Sequence, residues 1–130
     1  MKFTVPIRVR NGQNERLHWA VKAKRARQEK AAVVAEAWLL CDGVRLATSN
    51  RKWRSPPRLP VTVSLTRIYT RQRMDIDGNV SSLKHVQDAV AELLGIDDGD
   101  EDKVTWKYSQ QKGDAYAVVV QIEEVASEAR

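Results

Sequence analysis

The stretch RQRMDIDGNVSSLK, residues 71–84, sets Asp75 and Asp77 two residues apart, directly behind Arg71 and Arg73. Two carboxylates spaced by two converge when the chain is extended, because alternate side chains share a face. Such a pair offers hard oxygen ligands, and a calcium loop is the first chemistry to test. An EF-hand needs Gly at its sixth position and a bidentate Glu at its twelfth; counted from Asp75 these are Val80 and Val86. A second acidic run, DDGDED at 97–102, places Asp98, Asp100 and Asp102 at the same spacing, but Lys103 and Ser109 occupy the two diagnostic positions. Neither run is an EF-hand. Mg²⁺ asks for less: it binds through one or two carboxylates, keeps water, and completes its shell with phosphate. Lys84 lies seven residues past Asp77, and Asp88 four beyond Lys84. That pattern suits a metal held against a phosphodiester, with the lysine stabilising developing charge or orienting a water. The structural alternative is an N-cap, the commoner role for Asp where a strand gives way to a helix.

The elements that must position these groups follow from periodicity. FTVPIRVR, residues 3–10, alternates Phe3, Val5, Ile7 and Val9 and predicts a strand that Asn11-Gly12 ends. From about Glu15 to Leu40 there is no Gly or Pro, and Trp19, Ala23, Ala26, Val33, Ala37 and Leu40 share a face, which predicts a long helix. Its cations Lys22, Lys24, Arg25, Arg27 and Lys30 are too dispersed for one stripe and fit a solvated face or a phosphate-contacting one. Residues 42–60 combine Gly, Pro, Ser and Arg and read as a long basic loop, in which Trp53, between Lys52 and Arg54, either stacks on an unpaired base or folds onto the core.

Residues 60–69 alternate Val61, Val63 and Leu65 with an outward Arg67, a second strand leading to the acids. Leu83, Val86, Val90, Leu93 and Leu94 then predict one helix over about 79–94, closed by Gly95. VTWKYSQQ and YAVVVQIEE follow as strands, joined by a hairpin turn at Lys112-Gly113-Asp114. The order β-α-β-α-β-β describes an α+β domain: a small mixed sheet with two helices, one domain over 1–130.

Composition bounds the function. The 130 residues are 42% hydrophobic and 30% charged, ordinary for a globular chain with one core. The N-terminus has no apolar signal-peptide region and no run is long enough for a membrane span, so a cytoplasmic location without membrane contact is expected. Cys41 is the single cysteine, which rules out an internal disulfide, and no His stands near it in a zinc spacing. The net charge of +5 is divided unevenly: residues 1–73 hold 17 Lys/Arg against 4 Asp/Glu, whereas residues 74–130 hold 5 against 13. A basic half suits a polyanion, and acids in the other half suit a metal, although both also fit solvated charges that pair within the fold.

Taken together, DIDGNVSSLKHVQDAVAELLGIDDGD and the following VTWKYSQQKG resemble the RusA family of Holliday-junction resolvases. The family pattern is Asp-x-Asp, then Leu-Lys, an Asp four residues on, an apolar helix, Gly, an apolar residue and Asp-Asp. Here these are Asp75 and Asp77, Leu83-Lys84, Asp88, Gly95-Ile96 and Asp97-Asp98. NGQNERLHW resembles the family's turn before the first helix, with Asn14 matching. The resemblance implies a homodimeric, Mg²⁺-dependent endonuclease, with Mn²⁺ as a substitute, that cuts four-way DNA junctions in pairs. It implies Asp75, Asp77 and Asp98 as metal ligands, Asp97 as a helper and Lys84 as the catalytic lysine. Asn14, Arg16, Lys52, Trp53, Arg54, Arg71 and Arg73 are the candidate DNA contacts. The chain departs from the pattern at Gly78, where Asn is common, with Asn79 one place late. A non-cleaving binder of branched DNA or RNA on the same fold is the alternative. One geometric expectation completes the reading. A straight helix over 79–94 would be about 24 Å long, too long for Asp98 to return to Asp77 in its own chain, so active sites shared between the two subunits of a dimer are expected.

Overall fold

The computed structural model describes residues 1–10, 18–40 and 57–125. The described elements run β1 (Lys2–Val5), α1 (Trp19–Leu40), β2 (Val61–Tyr69), α2 (Ile76–Ser82), α3 (Lys84–Leu94), β3 (Val104–Lys112) and β4 (Ala117–Glu124). The architecture is a small α+β fold: a four-stranded mixed sheet in the order β1-β4-β2-β3 with three helices. β4 pairs antiparallel with both β1 and β2, and β2 pairs parallel with β3. Parallel neighbours need a crossover, and α2 with α3 supplies it. No described helix is long and apolar enough to cross a membrane.

The sheet has one apolar row on each strand. Val61, Val63 and Leu65 of β2 stand beside Val118, Val120 and Ile122 of β4, which in turn stand beside Phe3 and Val5 of β1. Val33 and Ala37 of α1, and Leu83, Val86, Ala89, Val90, Leu93 and Leu94 at and along α3, complete the same buried cluster. The opposite row of β2 starts with Thr62, Ser64 and Thr66, none of them buried. This is the alternation expected of a sheet with helices on one face only.

Several expectations are corrected. The first strand ends at Val5, because Pro6 has no N–H for the ladder and Ile7 N turns back to the Val5 carbonyl at 2.8 Å; Val9 is nevertheless buried. Trp19 is 74% exposed and takes no part in the inward face of α1. The last two strands form no hairpin, since β2 lies between β3 and β4. The chain leaves β3 at Gly113, whose N–H bonds the Tyr69 carbonyl at 2.9 Å at the end of β2. A Cβ there would come within 2.6 Å of Ile68 Cγ2, so the passage requires glycine. Arg67 is not outward: it continues the inward row of β2 and is 5% exposed.

The predicted second helix is two helices, and it begins earlier. Asp75 is the N-cap of α2: its backbone is extended and its Oδ1 accepts the Gly78 N–H at 2.7 Å. α2 stops at Ser82, whose Oγ donates to the Asn79 carbonyl at 2.8 Å, while Leu83 N reaches the carbonyls of both Asn79 and Val80. A serine that bonds back into its own turn bends a helix, and α3 restarts at Lys84.

Candidate metal and nucleic-acid site

Two local features mark the crossover that carries the acids. The first is the break at Leu83 between α2 and α3. At the far end, Gly95 adopts φ 72°, Gly95 N bonds the Glu92 carbonyl at 3.1 Å and Ile96 N bonds the Ala91 carbonyl at 3.0 Å, a Schellman closure that reverses the chain. Asp98 is then fixed twice: its carbonyl accepts the Trp106 indole N–H at 2.8 Å, and its Oδ2 accepts the Gln87 amide at 3.3 Å. The Tyr108 hydroxyl donates to Gln87 Oε1 at 2.5 Å, completing a Tyr108–Gln87–Asp98 chain. Burial pushes the Tyr108 phenol above its ordinary pKa, the Gln87 hydrogen bond opposes this, and the Asp98 charge adds to the rise, so Tyr108 remains a donor.

The result is a cleft of about 490 Å³ lined by Asp77, Val80, Ser81, Lys84, Gln87, Asp98 and Tyr108. Asp77 and Asp98 of one chain therefore line one cleft. The single helix expected over 79–94 is interrupted at Leu83.

Asp75 and Asp97 do not line this cleft. Asp75 caps α2, and Asp97 Oδ1 accepts the Gly99 N–H at 3.0 Å in a local turn. Asp75 and Asp77 fail to converge because the helix has already begun at Ile76, and a helix turns about 100° per residue. Among the described residues no group of three Asp, Glu, His or Cys is placed to hold a metal. Asp77 and Asp98 are the two carboxylates that line the cleft, and Mg²⁺ is a cation that takes one or two carboxylates and keeps water.

Asn79, one place late in the sequence, ties α2 to β3 instead, its amide donating to the Ser109 carbonyl at 3.1 Å. Arg71 and Arg73 are exposed between β2 and α2. Asn14, Arg16, Lys52, Trp53 and Arg54 lie outside the described residues, as does most of the basic 42–60 stretch.

Ser81 and Lys84 also line a second cleft of about 450 Å³, together with Arg10, Lys22, Ala23, Arg25, Ala26, Glu29 and His85. The acidic cleft thus opens beside a cationic one, with Lys84 on the boundary. Burial lowers the His85 pKa, Asp88 opposes this, and Lys30, Lys84 and Arg25 lower it further, so the imidazole is neutral at neutral pH.

Arg10, Ser81, His85, Gln87 and Tyr108 were not anticipated as site residues. Two of them were legible: Tyr108 shares the inward row of β3 with Trp106, and Gln87 is three residues from Lys84 on a helix. The meeting of α1 with α3 that forms the cationic cleft leaves no local signal.

No protein-family model matches the chain, no curated protein matches it, and no solved structure matches it.

Proposed function

We propose that this chain is a Mg²⁺-dependent, structure-specific endodeoxyribonuclease of the RusA resolvase type, acting as a homodimer on four-way DNA junctions. One observation carries the reading: Asp77, Asp98 and Lys84 line one cleft that shares Lys84 and Ser81 with a cationic neighbour. The motif order in the sequence supports the same reading, as does the concentration of Lys and Arg in the first 73 residues.

In this reading the cationic cleft holds the strand and leads a phosphodiester to the acidic one. Asp77 and Asp98 would hold Mg²⁺, which when bound neutralises the phosphodiester and makes a bound water more acidic. Lys84 places a positive charge where negative charge grows on the phosphoryl oxygens, and a preorganised charge there favours the transition state over the ground state. Gln87, itself aligned by Tyr108, keeps the Asp98 carboxylate turned into the cleft. Each chain of a dimer holds its own site, so two strands of a symmetric junction are cut by two sites.

The second reading is a branched-DNA or RNA binder that does not cut. It is favoured by the presence of two rather than three acids at the cleft, and by Gly78 in place of Asn. Incubating a synthetic four-way junction with and without Mg²⁺, with linear duplex as competitor, separates the two. Paired cuts that require metal and survive the competitor support the nuclease. Junction binding without cutting in either Mg²⁺ or Mn²⁺ supports the binder.

A further inference from the structure

The inward row of β3 runs Val104, Trp106, Tyr108 and Gln110. Trp106 and Tyr108 act on Asp98, the first through its carbonyl and the second through Gln87. Gln110, the next residue of the row, acts at the start of the crossover. Its side-chain amide bonds both backbone groups of Met74: Oε1 accepts the Met74 N–H at 2.9 Å, and Nε2 donates to the Met74 carbonyl at 2.7 Å. Met74 immediately precedes Asp75, the N-cap of α2, so these two bonds fix the chain where that helix begins. The preceding strand residue adds a second tie, since the Ser109 carbonyl accepts the Asn79 amide at 3.1 Å.

Gln110 is itself anchored. Arg67 stands opposite it in the parallel register of β2 and β3, is 5% exposed, and donates from Nη1 to the same Oε1 at 2.9 Å. A guanidinium has donors only. It therefore holds the oxygen end of the amide toward itself and the Met74 N–H, and leaves Nε2 for the Met74 carbonyl. A hydrogen bond from a charged donor is stronger than one between neutral groups, which makes this a firmer mount than a solvated glutamine.

On α2, Asp77, Val80 and Ser81 stand at positions i, i+3 and i+4, the spacing of one helix face, and all three line the acidic cleft. Where that face lies depends on where α2 starts. We propose that Gln110, anchored by Arg67, is a positioning residue for Asp77: it clamps Met74, and the clamp sets the placement of the Asp77 carboxylate in the cleft. Neither Gln110 nor Arg67 lines the cleft. One strand then registers both acids, Asp98 through Trp106 and Tyr108, and Asp77 through Gln110. The role in metal binding rests on the proposed function, whereas the clamp rests on its hydrogen bonds.

The test compares the full-length wild type with Gln110→Met and with a double variant, Arg67→Met with Gln110→Met. The single variant leaves a buried guanidinium without its acceptor and endangers folding. The double variant removes both partners, a change that can be nearly neutral when the replacements are apolar and similar in shape, and it abolishes the clamp all the same. Binding of Mn²⁺ alone, without DNA, is followed by the electron paramagnetic resonance of the free ion, and junction affinity is measured in EDTA. Partners beyond the metal ligands typically contribute about 10- to 100-fold to metal affinity. A loss of roughly tenfold in Mn²⁺ affinity is expected in the double variant, with faster hydrogen exchange at the Met74 amide and unchanged junction affinity. Mn²⁺ affinity equal to that of the wild type, or junction affinity that falls in step with it, overturns the proposal. A wild type that binds Mn²⁺ and cuts nothing, with metal affinity lost in the variant, removes the nuclease reading and leaves the clamp standing. A wild type that cuts, with a double variant that binds Mn²⁺ and cuts equally well, does the reverse. A wild type that binds no Mn²⁺ removes both.

Discussion

Asp98 is directed into the cleft by a neutral amide, so its position depends on Gln87 rather than on a charge. Replacing Gln87 with Leu leaves Asp98 Oδ2 without its donor and the Tyr108 hydroxyl without its acceptor. Partners of this kind typically contribute about 10- to 100-fold to metal affinity or activity. Gln87→Leu is therefore expected to slow junction cutting by roughly tenfold or more in limiting Mg²⁺, with junction affinity in EDTA unchanged; equal losses in both would make Gln87 a strand contact. His85 gives a pH signature. Its folded pKa lies below the unfolded 6.5, so the unfolded chain binds the proton first as pH falls. Stability is complete above pH 6.5 and declines as pH drops from there through the folded value. Urea unfolding on either side of that pH should show the decline in the wild type and a flatter profile in His85→Gln. Of these residue-scale features, the sequence exposes Asp77, Asp98 and Lys84 through type and spacing. It conceals Arg67, because an arginine at the end of an alternating strand has no pattern that distinguishes inward from outward.

At the scale of elements, the crossover that carries the acids contains a break and a reversal, and the two differ in legibility. Gly95 after an apolar helix announces its own turn. The break at Leu83 leaves no trace in periodicity, because Leu83, Val86, Val90, Leu93 and Leu94 are all buried and the apolar face continues through it. One serine hydroxyl on the Asn79 carbonyl accompanies the break, and periodicity does not register hydroxyls. The hairpin expectation failed for a related reason: a turn signal says that the chain bends, not which strand it joins. Gly95→Ala forces a Cβ into the left-handed region at a cost of about 1 kcal/mol. It should lower stability by that amount and slow cutting as well, because Asp98 follows three residues later. Asp75 and Asp77 separate in the same way. Asp75→Ala removes a cap and should cost about 1 kcal/mol in chemical denaturation. Asp77→Ala removes none and should abolish cutting with stability nearly unchanged. A stability loss from Asp77→Ala equal to that from Asp75→Ala would make both acids structural.

At the scale of the whole molecule, the α+β class and the strand–helix order were readable because period-2 and period-3.6 patterns alternate cleanly along the chain. The sheet order was not, since it depends on contacts distant in sequence. The division of charge was readable as a total, whereas the way it is arranged, an acidic cleft meeting a cationic one across Lys84, required α1 and α3 to be packed together. The central claim is that the acids of one chain suffice for one site. Subunit exchange between an Asp77→Asn chain and an Asp98→Asn chain tests it most directly, with exchange verified by a mass tag and junction nicking in Mg²⁺ as the readout. If the proposed site takes Asp77 and Asp98 from the same chain, the wild type should cut while both variants and their exchanged mixture remain inactive. Nicking recovered in the mixture, at about the level expected for one restored site per heterodimer, would contradict the account and place each Asp98 in its partner's site.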